Sequence, residues 1–162
     1  MQTVVITIST SVAAGTTEDT SGHALTELAT RAGADVVATE VLPDEREKIE
    51  EALRRHRAAG SDTALIFTTG GTGLTPDDVT PEATTAVIDR AAPGFAEAMR
   101  AESRRHTPMG ILSRGVSGIA NGTLIINFPG NPKAIRELFP VIAPTLAHAV
   151  ATLRREGGRS HP

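Results

Sequence analysis

Thr68-Thr69-Gly70-Gly71-Thr72-Gly73-Leu74-Thr75-Pro76-Asp77-Asp78-Val79-Thr80-Pro81-Glu82 is the stretch on which the reading of this chain turns. Before it, Ala64-Leu65-Ile66-Phe67 is a short apolar run of the kind that forms a buried strand. After it, Pro81 to Ile88 reads as a helix. Thr80 fits its N-cap and Pro81 its first position, where a missing N–H leaves no bond unmade. Gly70, Gly71 and Gly73 let main-chain N–H groups approach an anion closely, and the threonines around them add donors without bulk. The segment therefore reads as an oxyanion cradle formed by Thr69, Gly70, Gly71, Thr72 and Gly73, with the carboxylate of Asp78 beside it. The alternative is an ordinary glycine-rich turn between strand and helix. Neither common phosphate motif fits: Leu74 follows Gly73 where a P-loop needs lysine, and Gly71-Thr72-Gly73 lacks the third glycine of the dinucleotide fingerprint.

Outward from this stretch, strand and helix patterns alternate. Val4 to Ile8 is a β-branched, nearly continuous strand, and Ser9 to Thr20 is a small, polar, breaker-rich loop. Thr20 or Ser21 can cap a helix with Leu25, Leu28 and Ala29 on one stripe, ended by Ala32-Gly33. Asp35 to Val41 is the next strand. Pro43-Asp44-Glu45 then opens a helix to about Ala59-Gly60, with Asp44 and Glu47 at capping-box spacing. Beyond Pro93-Gly94 a helix runs from Phe95 to near His106. Ile111 to Ile119 and Thr123 to Phe128 flank Asn121-Gly122, a strong two-residue hairpin signal. Pro129-Gly130-Asn131-Pro132-Lys133 opens a helix from Ala134 to Leu138, followed by a last apolar helix from Val141 to Leu153. The predicted fold is α/β: three layers, a mostly parallel sheet with helices on both faces, and one antiparallel strand, Ile111 to Ile119. Residues 1–153 form a single domain in this reading, and 154–162 a polar, frayed tail.

In a parallel sheet every strand-to-helix loop leaves from the carboxyl edge, where ligands bind in open α/β folds. The loops holding Asp44, Gly70-Gly71 and Gly130 should therefore face one crevice. The last of them is a second candidate anion site. Asn131 can cap the helix, Pro132 takes its first position, Gly130 permits close approach and Lys133 adds charge; an ordinary N-cap with Lys133 in water explains the same residues. Asp44 is accounted for as a helix cap. Asp78 is not, because Thr80 is the better cap. A carboxylate beside phosphates makes sense where a cation bridges the two, and Mg²⁺ typically uses one or two carboxylates plus phosphate oxygens.

Composition narrows the partners. At 162 residues with 40% hydrophobic side chains the chain suits one globular domain, and no apolar run approaches a membrane span. A net charge of −3 with 2% aromatics argues against a nucleic-acid partner. No cysteine is present, so there is neither a disulfide framework nor a thiolate nucleophile. No secretory leader is evident, and the expected location is cytoplasmic.

Thr68-Thr69-Gly70-Gly71-Thr72-Gly73 with Asp78-Val79-Thr80-Pro81-Glu82-Ala83-Thr84 closely resembles the signature of the MoaB/Mog family of molybdenum cofactor biosynthesis. The resemblance extends through Ser21-Gly22, Pro43-Asp44-Glu45, Leu112-Ser113-Arg114 and Pro129-Gly130-Asn131-Pro132-Lys133-Ala134. It implies adenylyl transfer from ATP to the terminal phosphate of molybdopterin, with Asp44 and Asp78 as the essential, Mg²⁺-holding aspartates. It also implies Ser21 and Gly22 at the crevice edge, Arg114 within reach of a phosphate, and a homo-oligomer, trimer or hexamer. The alternative is an oligomeric protein that binds molybdopterin or another phosphate ligand without transferring adenylyl; a domain resembling those of competence-damage-type proteins is a third. One departure stands out: the family commonly carries Ser-Asp-Arg after the first strand, and here the segment is Ser9-Thr10-Ser11.

Overall fold

A computed structural model of the chain describes residues 1–57 and 60–154. Six strands form one sheet in the order β2-β1-β3-β6-β5-β4. β1 (Gln2–Ile8) pairs in parallel with β2 (Asp35–Leu42) and β3 (Leu65–Thr69), and β3 pairs in parallel with β6 (Thr123–Phe128). β5 (Ser117–Ala120) runs antiparallel to β6 and to the two-residue β4 (Arg90–Ala91). The reversed strand precedes the Asn121-Gly122 turn as the sequence suggested, though it is shorter, and the chain leaves it through that turn, where both residues take positive φ.

α2 (Thr20–Arg31), α5 (Gly94–His106) and α6 (Pro132–Leu153) cover one face; α3 (Arg46–His56) and α4 (Thr80–Thr85) cover the other. Val5, Phe67 and Ile126 face α2 and α6, while Val4, Ile66 and Ile125 face α3 and α4. Neighbouring strand residues therefore bury on opposite faces, which is why these strands are apolar without interruption. Phe67, Phe128 and Phe139 meet at centroid distances of 5.5 to 5.9 Å in the middle of the first of these layers.

Several boundaries differ from the sequence reading. Of the segment read as the antiparallel strand, Ile111 and Leu112 end a 3-10 helix, Pro108–Leu112, whose start is capped by Thr107, and the strand itself begins only at Ser117. The 3-10 helix folds back on α5 so closely that a Cβ on Gly110 would lie 2.7 Å from Ser103 Oγ. The loop after β1 contains one helical turn, α1 (Thr10–Ala13). α2 is capped by Asp19, not by Thr20 or Ser21. Neither Asp44 nor Thr80 caps a helix: α3 starts after Glu45 and α4 after Val79, both without a side-chain cap. The two helices expected at the C-terminal end are one helix, α6, of 22 residues with Pro140 and Pro144 inside it. An interior proline costs about 3 kcal/mol, but Ile135, Leu138, Phe139, Ile142, Leu146 and Val150 keep one buried stripe running across both prolines. By length and composition α6 could cross a bilayer, contrary to the expectation of no such run, but that stripe is packed into the core. The expected end of α3 at 58–59 and the tail from 155 lie outside the described residues.

Candidate functional site

β1 and β3 are neighbours, yet β2 lies on the far side of β1 and β6 on the far side of β3. Loops leaving two such strands diverge and open a crevice at the carboxyl edge. A cleft of about 290 Å³ lies there, lined by Ile8 and Ser9 after β1, Asp44 after β2, Gly70 and Gly71 after β3, and Gly130 after β6. Glu18, Thr20 and Ser21 close it from the α2 side.

The two candidate anion loops are tied together. Gly70 N–H donates to Phe128 O at 3.1 Å, and Thr69 Oγ1 donates to Pro129 O at 2.8 Å. Gly130 packs against Gly70 so tightly that a Cβ on it would lie 3.2 Å from Gly70 Cα. Gly70 and Gly71 both take left-handed backbone, with φ of +98° and +64°. A Cβ on Gly70 would sit 2.2 Å from Ile8 O, and one on Gly71 2.4 Å from Thr80 Oγ1. Thr80 is fully buried; its hydroxyl donates to Gly70 O at 2.9 Å and its N–H to Gly71 O at 3.1 Å. The residue read as a helix cap thus holds the loop in place. The N–H groups of Gly71 and Thr72 donate to no acceptor among the described residues, which leaves two main-chain donors for an anion.

Asp44 stands beside this loop: its Oδ1 would be 3.2 Å from a Cβ on Gly71. Its other oxygen, Oδ2, accepts from both the N–H and the hydroxyl of Thr10 at 2.9 Å, and its own N–H donates to Thr10 Oγ1 at 3.0 Å. Oδ1 takes no hydrogen bond among the described residues. Thr10 occupies the departure from Ser-Asp-Arg, and there it orients the aspartate of the neighbouring loop.

Asp78 lies further along the central loop and does not line the cleft. Its Oδ2 accepts from Thr75 N–H at 2.9 Å and Thr75 Oγ1 at 2.7 Å. Burial alone would raise its pKa, but the donors from Thr75, with Gly73 N–H and the charge of Arg114, hold the carboxyl below the usual aspartate range. Gly73 lies directly against this carboxylate, 2.8 Å from Oδ2 to the position of a Cβ. Arg114 follows the 3-10 helix rather than lying on an edge strand, and its guanidinium points into the central loop.

At the start of α6, Asn131 Oδ1 accepts from Lys133 N–H at 2.9 Å with Pro132 between them. The Lys133 side chain is 83% exposed, with its ammonium 3.9 Å from Glu137. Ser21 reaches the cleft; Gly22 instead lets α2 approach β1, since a Cβ there would lie 2.3 Å from Thr7 Oγ1. Its N–H is taken by Asp19 Oδ1 at 2.8 Å, and Thr7 Oγ1 donates to Asp19 Oδ2 at 2.8 Å. Among the described residues no three acidic, His or Cys side chains form a ready metal cluster. Asp44 Oδ1, which takes no hydrogen bond among the described residues, offers the cleft one hard carboxylate oxygen of the kind Mg²⁺ takes alongside phosphate oxygens, whereas Asp78 lies outside the cleft lining.

A family profile described as "Probable molybdopterin binding domain" matches residues 4–148. The chain belongs to the MoaB/Mog family. Among MoaB/Mog relatives, it is 39% identical over 155 residues to the molybdopterin adenylyltransferase of Helicobacter pylori strain J99, covering 93% of this chain and 88% of the relative. It is 40% identical over 148 residues to the molybdenum cofactor synthesis protein cinnamon of Drosophila melanogaster, covering 90% of this chain but only 24% of that longer protein. Its fold is similar to that of the molybdopterin biosynthesis enzyme MoaB of Thermus thermophilus, with a TM-score of 0.86 and 42% identity across 96% of this chain and 97% of that one.

Sequence reasoning missed Thr10, Asp19 and the true task of Thr80. Asp19 had a readable signal, an acidic side chain three residues before Gly22 N–H, the spacing of an N-cap. Thr10 had none, because its partner lies 34 residues away.

Proposed function

We propose that this protein is a molybdopterin adenylyltransferase, joining the terminal phosphate of molybdopterin to the α-phosphorus of ATP. An oxygen of the molybdopterin phosphate forms the new bond, the bond from the α-phosphorus to the bridging oxygen breaks, and pyrophosphate leaves with the electron pair. The nucleophile is a phosphate monoester whose second pKa is about 6, so near neutral pH it is largely deprotonated and requires no general base. What the protein must supply is charge and position. The N–H groups of Gly71 and Thr72, the start of α6 and Lys133 offset negative charge as it develops. Asp44 in the cleft, and Asp78 from the part of the central loop beyond its lining, would hold Mg²⁺, which would supply positive charge to offset that of the phosphates. Thr69, Gly70, Gly73, Gly130, Asn131 and Pro132 shape the two loops, Ser21 bounds the cleft, and Gly22 seats α2 against β1 beside it.

One observation carries this reading: Gly130 is seated on Gly70, with a free oxygen of Asp44 beside Gly71. Two amide-rich turns far apart in sequence thereby share one crevice with a carboxylate. The names of the relatives that span nearly the whole chain agree with it.

Further parts of the proposal are the unit and its setting. Residues 1–153 act as a single molybdopterin-binding domain in the cytoplasm, where ATP is at hand. The protein assembles as a trimer or hexamer, with exposed Met109, Ile111 and Leu112 as contact candidates. Release of pyrophosphate from ATP, measured with and without molybdopterin, tests the reaction. Release that requires both molybdopterin and Mg²⁺ is the expected result; molybdopterin binding without any release would leave a binding protein instead.

A further inference from the structure

We infer that Arg114, with Glu82 as its counterion, is a positioning residue that clamps the Thr72–Asp78 loop and does not itself contact a phosphate. The catalytic consequence rests on the reading above, whereas the clamp stands on geometry alone. Arg114 N–H donates to Thr72 O at 2.9 Å. Its Nε donates to Gly73 O at 2.7 Å and its Nη2 to Asp78 O at 2.5 Å. Nη1 and Nη2 both reach the carboxylate of Glu82 in the first turn of α4. One residue thus binds the beginning of the loop, its end, and the helix that follows.

A guanidinium has five N–H donors, and four of them are directed at the loop and Glu82. That leaves little to offer a phosphate, although a positive side chain at this place in the sequence suggests one. The pair also supports Asp78 from behind, fixing its main-chain carbonyl while Thr75 fixes its carboxylate. The ionised form of Glu82 is held by Arg114 first of all, which keeps its carboxyl below the usual glutamate range. Lysine cannot reproduce the arrangement, because an ammonium is a point charge without the planar fork.

Clamp and phosphate ligand predict opposite behaviour in two variants. Arg114→Lys keeps the charge and loses the fork; Glu82→Gln keeps the bulk and releases the guanidinium. Amide hydrogen exchange of the whole protein, read at Thr75 and Asp78 with Val4 to Ile6 as the internal reference, reports on the loop without any substrate. The clamp predicts about tenfold faster exchange at those loop amides in both variants, with the β1 amides unchanged. It also predicts a lower kcat with little change in KM for ATP in both, and a double variant no worse than the sum of the singles. Loop exchange at the wild-type rate in both variants overturns the inference. So does a Glu82→Gln variant with KM for ATP unchanged or lowered and full kcat, beside an Arg114→Lys variant impaired only in KM. If the wild-type protein transfers no adenylyl group, the exchange result still decides the clamp, and only the proposed reaction fails.

Discussion

At the scale of the residue, the Thr10–Asp44 pair bears most directly on the chemistry. Asp44 could be read as a helix cap because it precedes a helix and has Glu47 at the right spacing. What decides otherwise is a contact across 34 residues that no local pattern contains. Thr10 Oγ1 serves as donor to Asp44 Oδ2 and as acceptor for Asp44 N–H, so it fixes both the side chain and the backbone of the same residue. Removing the hydroxyl with Thr10→Val loses both contacts and keeps only the main-chain bond. A hydrogen bond to a charged group contributes about 1.5 kcal/mol, so kcat/KM for adenylyl transfer should fall about tenfold or somewhat more. Thr10→Ser should retain activity within about threefold, since the hydroxyl is kept. Steady-state pyrophosphate release distinguishes the two; equal activity in Thr10→Val and the wild type would mean that Asp44 needs no orientation from this side.

At the scale of the element, the central loop shows what was legible and what was not. Its glycines announced close approach, and each close approach is found, though the neighbours are protein atoms as well as the cleft. The direction of Thr80 was not legible, because capping and loop-holding require the same hydroxyl on the same residue type. Gly71→Ala would place a Cβ 2.4 Å from Thr80 Oγ1 on backbone of φ +64°. The combined strain and displaced buried hydrogen bond should cost about 2–3 kcal/mol, seen as a lower denaturation midpoint at unchanged slope. Gly15→Ala is the control: its φ is +73° but nothing lies within 4 Å, so only the backbone strain of about 1 kcal/mol should appear.

The same loop should respond to acid in a defined sense. Asp78 and Glu82 both have carboxyls lowered below their usual ranges, in the latter case chiefly by the Arg114 hydrogen bond. A carboxylate whose folded pKa is depressed stabilises the fold above its unfolded pKa, and that contribution disappears as pH falls through the folded value. Protection of the Thr75 and Asp78 amides should therefore be level from neutrality down to the usual carboxylate range and collapse below it. Protection lost already near pH 6 would point to a histidine instead. The helix merger belongs at this scale too: Pro140 lies in the gap between the two expected helices, but the buried stripe from Ile135 to Val150 runs across it and across Pro144.

At the scale of the whole molecule, the alternation of strands and helices was enough to give the class of fold and the reversed strand. The order β2-β1-β3-β6 was not readable, because the continuously buried strands β1, β3 and β6 carry no record of which neighbour they pair with. That order is what brings Gly130 onto Gly70 and makes one site from two loops. Assembly is the other property at this scale. Met109 and Ile111 are 62% and 64% exposed, an apolar pair projecting from the 3-10 helix. Light scattering after size exclusion should give three or six times the chain mass of 16.9 kDa, and Ile111→Glu should lower it. A single-chain mass at micromolar concentration would remove the assembly from the proposal.

The claim that Asp44 in the crevice and Asp78 on the loop beyond its lining act as one functional unit is tested most directly by turnover in Asp44→Asn, Asp78→Asn and the double variant. If both carboxylates act on one bridging cation, each single variant should lose about 10²–10⁴-fold in kcat, and the double variant little more than the worse single, because groups acting as a unit are not additive. Near-wild-type turnover in both single variants, with molybdopterin and ATP still consumed together, would contradict it.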